Sequence, residues 1–275
     1  MCPYPFYLKK YNIFVPCGKC GSCLKRKISD WTIRLQNEFK RSKTSAFLTL
    51  TYQEAPDQLD KTHLQKFFRR LRKKGVNFSY FALGDYGDTF GRPHYHVLAF
   101  ERTSYLRDVL NQSWRSGKDE VLMGFTHYKP MSFGRIHYVV KYGLLAKLDW
   151  NKEQETRKPP FFLMSQSIGS CYLTDDILDY HKKRGVWHYQ DGRYKKPLPR
   201  YYRDKLFTAA YRQIHNLKYQ AIVDEQYDLK RVYFASQGFH DEIDQKIYEQ
   251  ITATADNYLK ELRKQKQLKV KILKN

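Results

Sequence analysis

The chain has 275 residues, of which 41% are hydrophobic and 16% aromatic, so it can bury a sizeable core and is not a disordered tail. Its 50 Lys and Arg residues exceed its 28 Asp and Glu residues, which gives a formal charge of +22. This excess predicts a nucleic-acid partner, because cations neutralise phosphates and aromatic rings stack on unpaired bases. The sequence shows no apolar run that could span a bilayer and no signal peptide, so we expect no membrane partner.

Four of the five cysteines lie in the first 23 residues, which indicates a metal site and not a disulfide framework. The spacing Cys17-x2-Cys20-x2-Cys23 brings three thiolates together on Gly-containing turns, and Cys2 can supply a fourth. Four thiolates at tetrahedral geometry are typical of structural zinc. An iron–sulfur cluster also takes four cysteines, and reduced cysteines in a loop are the third alternative.

Hydrophobic periodicity predicts alternating helices and strands through the first 150 residues. The predicted helices span about 24–43, a segment capped by Asp60 or Thr62, 105–114 and 134–147. The predicted strands span 46–52, 78–83, a segment from Tyr95, and 121–128. From residue 46 the order is β-α-β-β-α-β followed by a helix, which is the ferredoxin-like order of an antiparallel sheet with helices on one face.

We therefore predict an α+β fold with three segments. Residues 1–45 form a Cys-rich segment and a basic helix, residues 46–150 form the ferredoxin-like core, and residues 151–275 form a partly helical C-terminal extension. The polar stretch 152–160 ends in Pro-Pro and predicts a linker. No phosphate-cradling loop of the G-x-x-x-x-G-K-[ST] type is present, so the chain lacks that signature of an NTPase.

Two histidines, His94 and His96, flank Tyr95 at the start of the third predicted strand. Residues i and i+2 of a strand point to the same face, roughly 6.5–7 Å apart. Both imidazoles can therefore reach one metal ion, while Tyr95 and Val97 pack on the opposite face. The alternative is a pair of ordinary histidines near a strand start.

Two tyrosines, Tyr138 and Tyr142, share one face of the last core helix, and Lys141 flanks them. The structural alternative is that both rings only pack on the sheet. The catalytic alternative is attack on a phosphate, in which a metal ion and a nearby Lys lower the barrier for a phenol. The product of that attack would be a covalent phosphotyrosine.

This combination of a His-hydrophobic-His strand and a tyrosine helix resembles the HUH endonuclease superfamily. It is most similar to the rolling-circle replication initiators of gokushovirus-type microviruses, over about residues 1 to 205. The motifs that carry the resemblance are Cys17-x2-Cys20-x2-Cys23, Trp31-x2-Arg34, Phe47-Leu48-Thr49-Leu50-Thr51-Tyr52, Phe67-x2-Arg70-Leu71-Arg72, Gly84-Asp85-Tyr86-Gly87, Arg92-Pro93-His94-Tyr95-His96, Tyr138-x3-Tyr142 and Phe161-x2-Met164-Ser165.

The resemblance implies a replication initiation protein that nicks and rejoins single-stranded DNA through a 5′-phosphotyrosine, at the start and end of rolling-circle replication. It implies that His94 and His96 bind Mg²⁺ or Mn²⁺. Asp85 is the expected third ligand, although similar sequences tend to have Glu there, and Asp88 and His137 are the alternatives. Tyr138 fits the Tyr-x2-Lys pattern and is expected to act first, with Tyr142 as its partner.

The partners implied are single-stranded phage DNA and the origin duplex, with a host helicase and polymerase, in the host bacterial cytoplasm. Two other function classes compete with this interpretation. One is a non-enzymatic, zinc-stabilised nucleic-acid-binding protein. The other is an Fe(II) oxygenase with a facial triad of two His and a carboxylate, a class that requires neither the charge of +22 nor the tyrosine pair.

Overall fold

A computed structural model describes residues 1–11, 13–87, 90–116, 121–150 and 156–272. The described chain divides into two compact units. Residues 1–30 and 173–268 form the first unit, and residues 31–172 form the main part of the second. The predicted segment boundaries at residues 45 and 150 stay a prediction. None of the described helices is long and apolar enough to cross a membrane.

The described residues form strands and helices in the following order along the chain. The strands are β1 (Phe6–Leu8), β2 (Ile13–Val15), β3 (Thr44–Leu50), β4 (Phe78–Tyr86), β5 (Pro93–Glu101), β6 (Arg115–Ser116), β7 (Val121–Leu122), β8 (Thr126–Pro130), β9 (Phe161–Met164), β10 (His188–Asp191) and β11 (Tyr194–Pro197). The α-helices are α1 (Gly21–Arg41), α2 (Lys61–Lys73), α3 (Leu106–Val109), α4 (Phe133–Asp149), α5 (Asp175–Arg184), α6 (Arg200–Leu206), α7 (Ala209–Ser236) and α8 (Ile243–Ile272).

A five-stranded antiparallel sheet in the order β8-β3-β5-β4-β9 organises the second unit. Its first four strands are those of the predicted ferredoxin-like core, so the predicted fold class is confirmed. The apolar stretch that begins at Phe161 adds the fifth strand, β9, at the edge beside β4. Between β8 and β9, the predicted linker lies partly outside the described residues, and residues 156–160 contain no helix or strand.

One face of this sheet is covered by α2 and α3, as the ferredoxin-like order predicts. The side chains of Leu64, Phe67 and Phe68 on α2 are fully buried in one cluster with Tyr95 and Trp114. The Asp60 side chain caps α2 by accepting a hydrogen bond of 2.7 Å from the Thr62 N–H, which confirms one of the two predicted caps. The largest core of the unit therefore lies on the face opposite to the two histidines.

The other face of the sheet is also covered by helices. The Trp31 ring of α1 packs on Phe81 of β4, with ring centroids 5.1 Å apart. Helix α4 approaches so closely that a Cβ at Gly143 would lie 2.7 Å from the Phe162 ring and 2.8 Å from Leu83. Apolar residues on both sides of β5 explain this second layer, because a strand buried on both faces has a near-continuous apolar run.

Two predicted elements differ from the structure. The predicted strand 121–128 is split at Gly124, whose φ of 155° and close approach to the Thr51 carbonyl leave no room for a side chain. The predicted helix 105–114 is a single turn, α3. Farther along the chain, α7 begins after Thr208, whose side chain accepts a hydrogen bond from the Tyr211 N–H.

We predict that Gly143→Ala lowers the free energy of unfolding by about 1–2 kcal/mol, although alanine favours helices, because the added methyl overpacks the contact with Phe162 and Leu83. Gly134→Ala on the same helix is the matched control, since only the Ser132 hydroxyl lies near, at 3.9 Å. It should leave stability unchanged or raise it. Urea denaturation measures both changes, and equal effects of the two substitutions would contradict the close packing of α4.

Candidate functional site

The two histidines of β5 converge on the sheet face that α4 covers. The Nε2 atoms of His94 and His96 lie 3.2 Å apart. Between them, Tyr95 points to the opposite face, where it is fully buried. The alternation predicted for this strand is therefore present, and it presents two imidazoles side by side.

His96 is held on three sides by neighbours on the same sheet face. Thr49 lies directly opposite it on β3, and the Thr49 Oγ1 is 3.2 Å from His96 Nδ1. The ring of Phe47 stacks on the imidazole at a centroid distance of 5.3 Å. Burial, and then the neighbouring His94, lower the pKa of His96 to about 3, so this imidazole is neutral at pH 7. Neutral imidazole is the form that binds metal ions.

The geometry of the histidine pair fits a shared divalent ion. Two nitrogens that bind one ion at right angles, each at about 2.1 Å, are roughly 3 Å apart. The observed separation of 3.2 Å is close to this value. His94 Nδ1 lies 3.3 Å from the Arg92 carbonyl, which can only accept a hydrogen bond. His94 therefore carries its proton on Nδ1 and keeps the Nε2 lone pair for a ligand.

The expected third ligand, Asp85, lies opposite His94 in the register of β4 and β5, so its side chain is on the same face. Its Oδ1 accepts a hydrogen bond of 2.9 Å from the Tyr86 N–H. Of the two alternatives, Asp88 lies outside the described residues, and His137 is exposed on α4. The identity of the third ligand stays a prediction.

Both candidate tyrosines lie on α4, which begins at a Ser132 cap that accepts from the Arg135 N–H. The Tyr138 ring is 6.3 Å from the His96 ring, centroid to centroid, and 4.9 Å from the Tyr142 ring. Lys141 Nζ lies 5.1 Å from the centroid of the Tyr142 ring. The structure thus brings together all the residues that the sequence proposed for phosphate chemistry on this helix.

Four residues of this face were missed in the sequence: Phe47, Thr49, His127 and Lys129. His127 on β8 lies opposite Thr49, which itself lies opposite His96, so the three side chains form one row across the sheet. Lys129 follows two residues later on the same face, and the side chains of His127 and Lys129 are both exposed. Alternation within β3 could have indicated Thr49, but only the strand pairing places His127 beside it.

The four N-terminal cysteines form a compact group, with all four sulfur atoms within 4.8 Å of one another. In the part of the chain that the structure describes, no other group of three or more His, Cys, Asp or Glu is placed to hold an ion. Cys2 and Cys20 are 3.7 Å apart, sulfur to sulfur, and Cys17 and Cys23 are 3.9 Å apart.

These separations fit one tetrahedral ion with sulfur ligands. Four sulfurs at about 2.3 Å from a zinc ion are roughly 3.8 Å apart. A cluster of several iron and sulfide atoms needs a wider cage, so the spacing favours the zinc alternative. Burial raises the pKa of the Cys17 thiol, but hydrogen bonds from the N–H groups of Lys19 and Cys20 outweigh this effect and lower that pKa to about 7. Burial also raises the pKa of the Cys23 thiol.

Part of the chain matches a known protein family. Residues 45–147 match the model of a family described as replication-associated protein ORF2. This matched segment contains the sheet strands β3, β4, β5 and β8, the histidine pair and both tyrosines of α4. No solved structure matches the chain.

Three curated relatives come from phages. The replication-associated protein ORF4 of Chlamydia phage 1 is 23% identical over 72% of this chain, and the alignment covers 55% of that protein. The replication-associated protein VP4 of Bdellovibrio phage phiMH2K is 28% identical over 69% of this chain and 66% of its own length. Replication-associated protein ORF2 of Spiroplasma virus 4 is 27% identical over 70% of this chain and 67% of its own length. These matches confirm the resemblance to the rolling-circle initiators of gokushovirus-type microviruses.

We predict that Cys20→Ser removes the metal from the cysteine group and lowers the melting temperature by about 5–10 °C, because ligand binding contributes folding free energy. Elemental analysis and a thermal melt measure the two effects. Cys171→Ser is the matched control, since Cys171 lies outside the group and donates its S–H to Glu38. Purified wild-type protein without zinc, or a Cys20→Ser variant with full zinc, would contradict the assignment.

Proposed function

We propose that this chain is a replication initiation enzyme that nicks and rejoins single-stranded DNA at a specific site through a 5′-phosphotyrosine. The observation that carries the proposal is the convergence of the histidine pair with the tyrosine face of α4, where the Tyr138 ring lies 6.3 Å from that of His96. The phage relatives, named replication-associated proteins, support a role at the start and end of rolling-circle replication.

His94 and His96 are the proposed ligands of a catalytic Mg²⁺ or Mn²⁺. Asp85 lies opposite His94 in the register but does not form a group of three with the imidazoles in the structure, so we propose that its carboxylate joins them when the ion binds. When bound, such an ion polarises the scissile phosphate and stabilises the charge that develops on its oxygens. The imidazoles hold it against the sheet, since Phe47 and Thr49 fix the ring of His96. Rigid ligands on paired strands give this site a defined geometry before DNA binds.

Tyr138 is the proposed first nucleophile because its ring contacts that of His96. Its phenolic oxygen attacks phosphorus, a new O–P bond forms, and the bond from phosphorus to the 3′ oxygen breaks. The tyrosine proton is lost and the leaving 3′ oxygen gains a proton, so the products are a 5′-phosphotyrosine and a free 3′-OH. One phosphodiester is exchanged for another, and the reverse reaction can therefore rejoin the strand.

Tyr142 is the proposed second nucleophile, one helical turn from Tyr138 and about 6 Å along the axis. The Lys141 ammonium, 5.1 Å from the centre of the Tyr142 ring, can stabilise negative charge on a phenolic oxygen during attack. While Tyr138 holds the 5′ end of the parental strand, Tyr142 cleaves the regenerated origin. The released 3′-OH then attacks the first phosphotyrosine and closes the circle.

Single-stranded phage DNA and the origin duplex are the proposed partners, consistent with the charge of +22. A host helicase and polymerase would complete replication in the host bacterial cytoplasm, since the chain has no NTPase loop of its own. The alternative is a non-enzymatic, zinc-stabilised nucleic-acid-binding protein. A covalent adduct that survives SDS separates the two functions, because a binding protein forms none.

We predict that Tyr138→Phe and Tyr142→Phe single variants each retain adduct formation with single-stranded circular phage DNA and Mn²⁺ but fail to close circles. The double variant should form no adduct, because no nucleophile remains on the helix. Gel electrophoresis after SDS treatment measures the adducts, and peptide mass mapping identifies the modified tyrosine.

His96→Ala is the control for chemistry without loss of binding, since dispersed Lys and Arg side chains supply most of the affinity. It should bind DNA but form no adduct. Efficient circle closure by either single variant, under conditions in which each molecule acts alone, would show that the tyrosines do not alternate. Adduct formation by the double variant would exclude both as nucleophiles.

We also predict that Thr49→Val weakens Mn²⁺ binding about 10- to 100-fold, measured by calorimetry. Because His94 Nε2 has a lone pair and no proton, His96 carries its own proton on Nε2 and donates it to His94 in the metal-free site. That proton must move to Nδ1 of His96 when both Nε2 atoms bind an ion. A hydroxyl can satisfy Nδ1 in both states because it donates and accepts. Thr49→Ser should restore affinity, and Thr126→Val, on the other sheet face, should not change it.

A further inference from the structure

The N-terminal hairpin of β1 and β2 presents its side chains to solvent on both faces. Tyr7 pairs with Phe14 across the hairpin, and their ring centroids are 5.2 Å apart. Phe14 is 71% exposed, Tyr7 is 45% exposed, and on the opposite face Phe6 and Ile13 are about as exposed as Tyr7. A ribbon that exposes large apolar side chains on both faces contributes little to a core, and such surfaces mark binding sites.

The charged residues of the hairpin's own segment have a single sign. No Asp or Glu precedes Asp30 in the sequence, whereas Lys9 and Lys10 lie in the connection between the two strands. Both lysine side chains are exposed, as is Lys19 just after the hairpin. Exposed aromatic rings beside exposed cations are the combination that single-stranded nucleic acids bind, with bases on the rings and phosphates on the cations.

The cysteine group ties the two ends of the hairpin together. Cys2 precedes β1 and Cys17 follows β2, and the Cys17 N–H lies 3.4 Å from the Cys2 sulfur. The Cys20 sulfur, at the start of α1, contacts the Cys2 sulfur at 3.7 Å. An isolated two-stranded hairpin is marginally stable in water, so an anchor at its base is what lets it present its rings in a fixed arrangement.

We propose that this hairpin is a stacking platform for unpaired bases of single-stranded DNA. Tyr7 and Phe14 take the bases, and Lys9 and Lys10 take the adjoining phosphates. The inference rests on the proposed function, which supplies the DNA. A second copy of the chain is a poor occupant, because pairing two hairpins would bring together the lysines of both connections, and neither hairpin has an acidic residue of its own.

The test measures binding of a fluorescent oligothymidylate by anisotropy, with zinc-replete full-length protein. The Tyr7→Ala/Phe14→Ala double variant should lose affinity by about 5- to 150-fold for each base that no longer stacks. Tyr7→Trp/Phe14→Trp should keep the wild-type affinity, since a larger ring also stacks. Tyr219→Ala, an exposed tyrosine of α7, is the matched control and should have no effect.

A second measurement addresses the phosphates. Lys9→Ala/Lys10→Ala should reduce the slope of log affinity against log salt by about 0.7 for each lost phosphate contact. Ultraviolet cross-linking of a bromodeoxyuridine-substituted strand should modify the peptide that contains Tyr7 or Phe14. Wild-type affinity in the alanine double variant with normal zinc content, or cross-links confined to other peptides, would overturn the proposal.

The same samples separate this inference from the proposed function. A wild-type protein that forms the covalent adduct while the hairpin variant binds DNA normally overturns the platform alone. A wild-type protein that binds oligothymidylate through the hairpin but forms no adduct supports the platform and contradicts the nickase. Loss of binding in both the alanine and tryptophan variants would assign the hairpin a structural role or a protein partner and overturn the stacking.

Discussion

The register of β5 against its two neighbours is the constraint on which the site depends. Tyr95 fixes this register from the core side, because its hydroxyl donates to the Asp60 carbonyl at 3.0 Å and lies 2.7 Å from the Tyr52 hydroxyl. A shift of one residue would exchange the faces of the strand and bury both imidazoles in the apolar core. The polar tip of Tyr95 thus makes the middle residue of the His-Tyr-His motif an anchor and not only an apolar filler.

Local patterns in the sequence were sufficient to predict the elements that position the candidate site residues. Alternation placed His94 and His96 on one face, and helical spacing placed Tyr138 and Tyr142 on another, since both inferences need only the geometry of one element. The row formed with Thr49 and His127 could not be predicted, because it depends on which strands pair. The break at Gly124 arises from a close approach to the chain at Thr51, a contact that leaves no signal in a periodicity.

The two candidate metal sites differ in the chemistry of their ligands, and this difference explains how one chain could keep two ions apart. Sulfur ligands select zinc, whereas imidazole and carboxylate ligands around an open position suit ions that must also bind phosphate. The four cysteines would take up all four ligand positions of a tetrahedral ion and leave none for a substrate. The histidine pair would leave most ligand positions of an ion open, on a face where the Tyr138 ring of α4 contacts that of His96.

The unequal burial of the tyrosines bears on the order in which they would act. Tyr142 is only 8% exposed, whereas Tyr138 is half-buried and its ring contacts that of His96. On the proposed mechanism, the first strand meets Tyr138 without any rearrangement of α4. Tyr142, one helical turn away on the same face, would then remain for the second cleavage, so the packing of one helix on one sheet favours this order of the two cleavages.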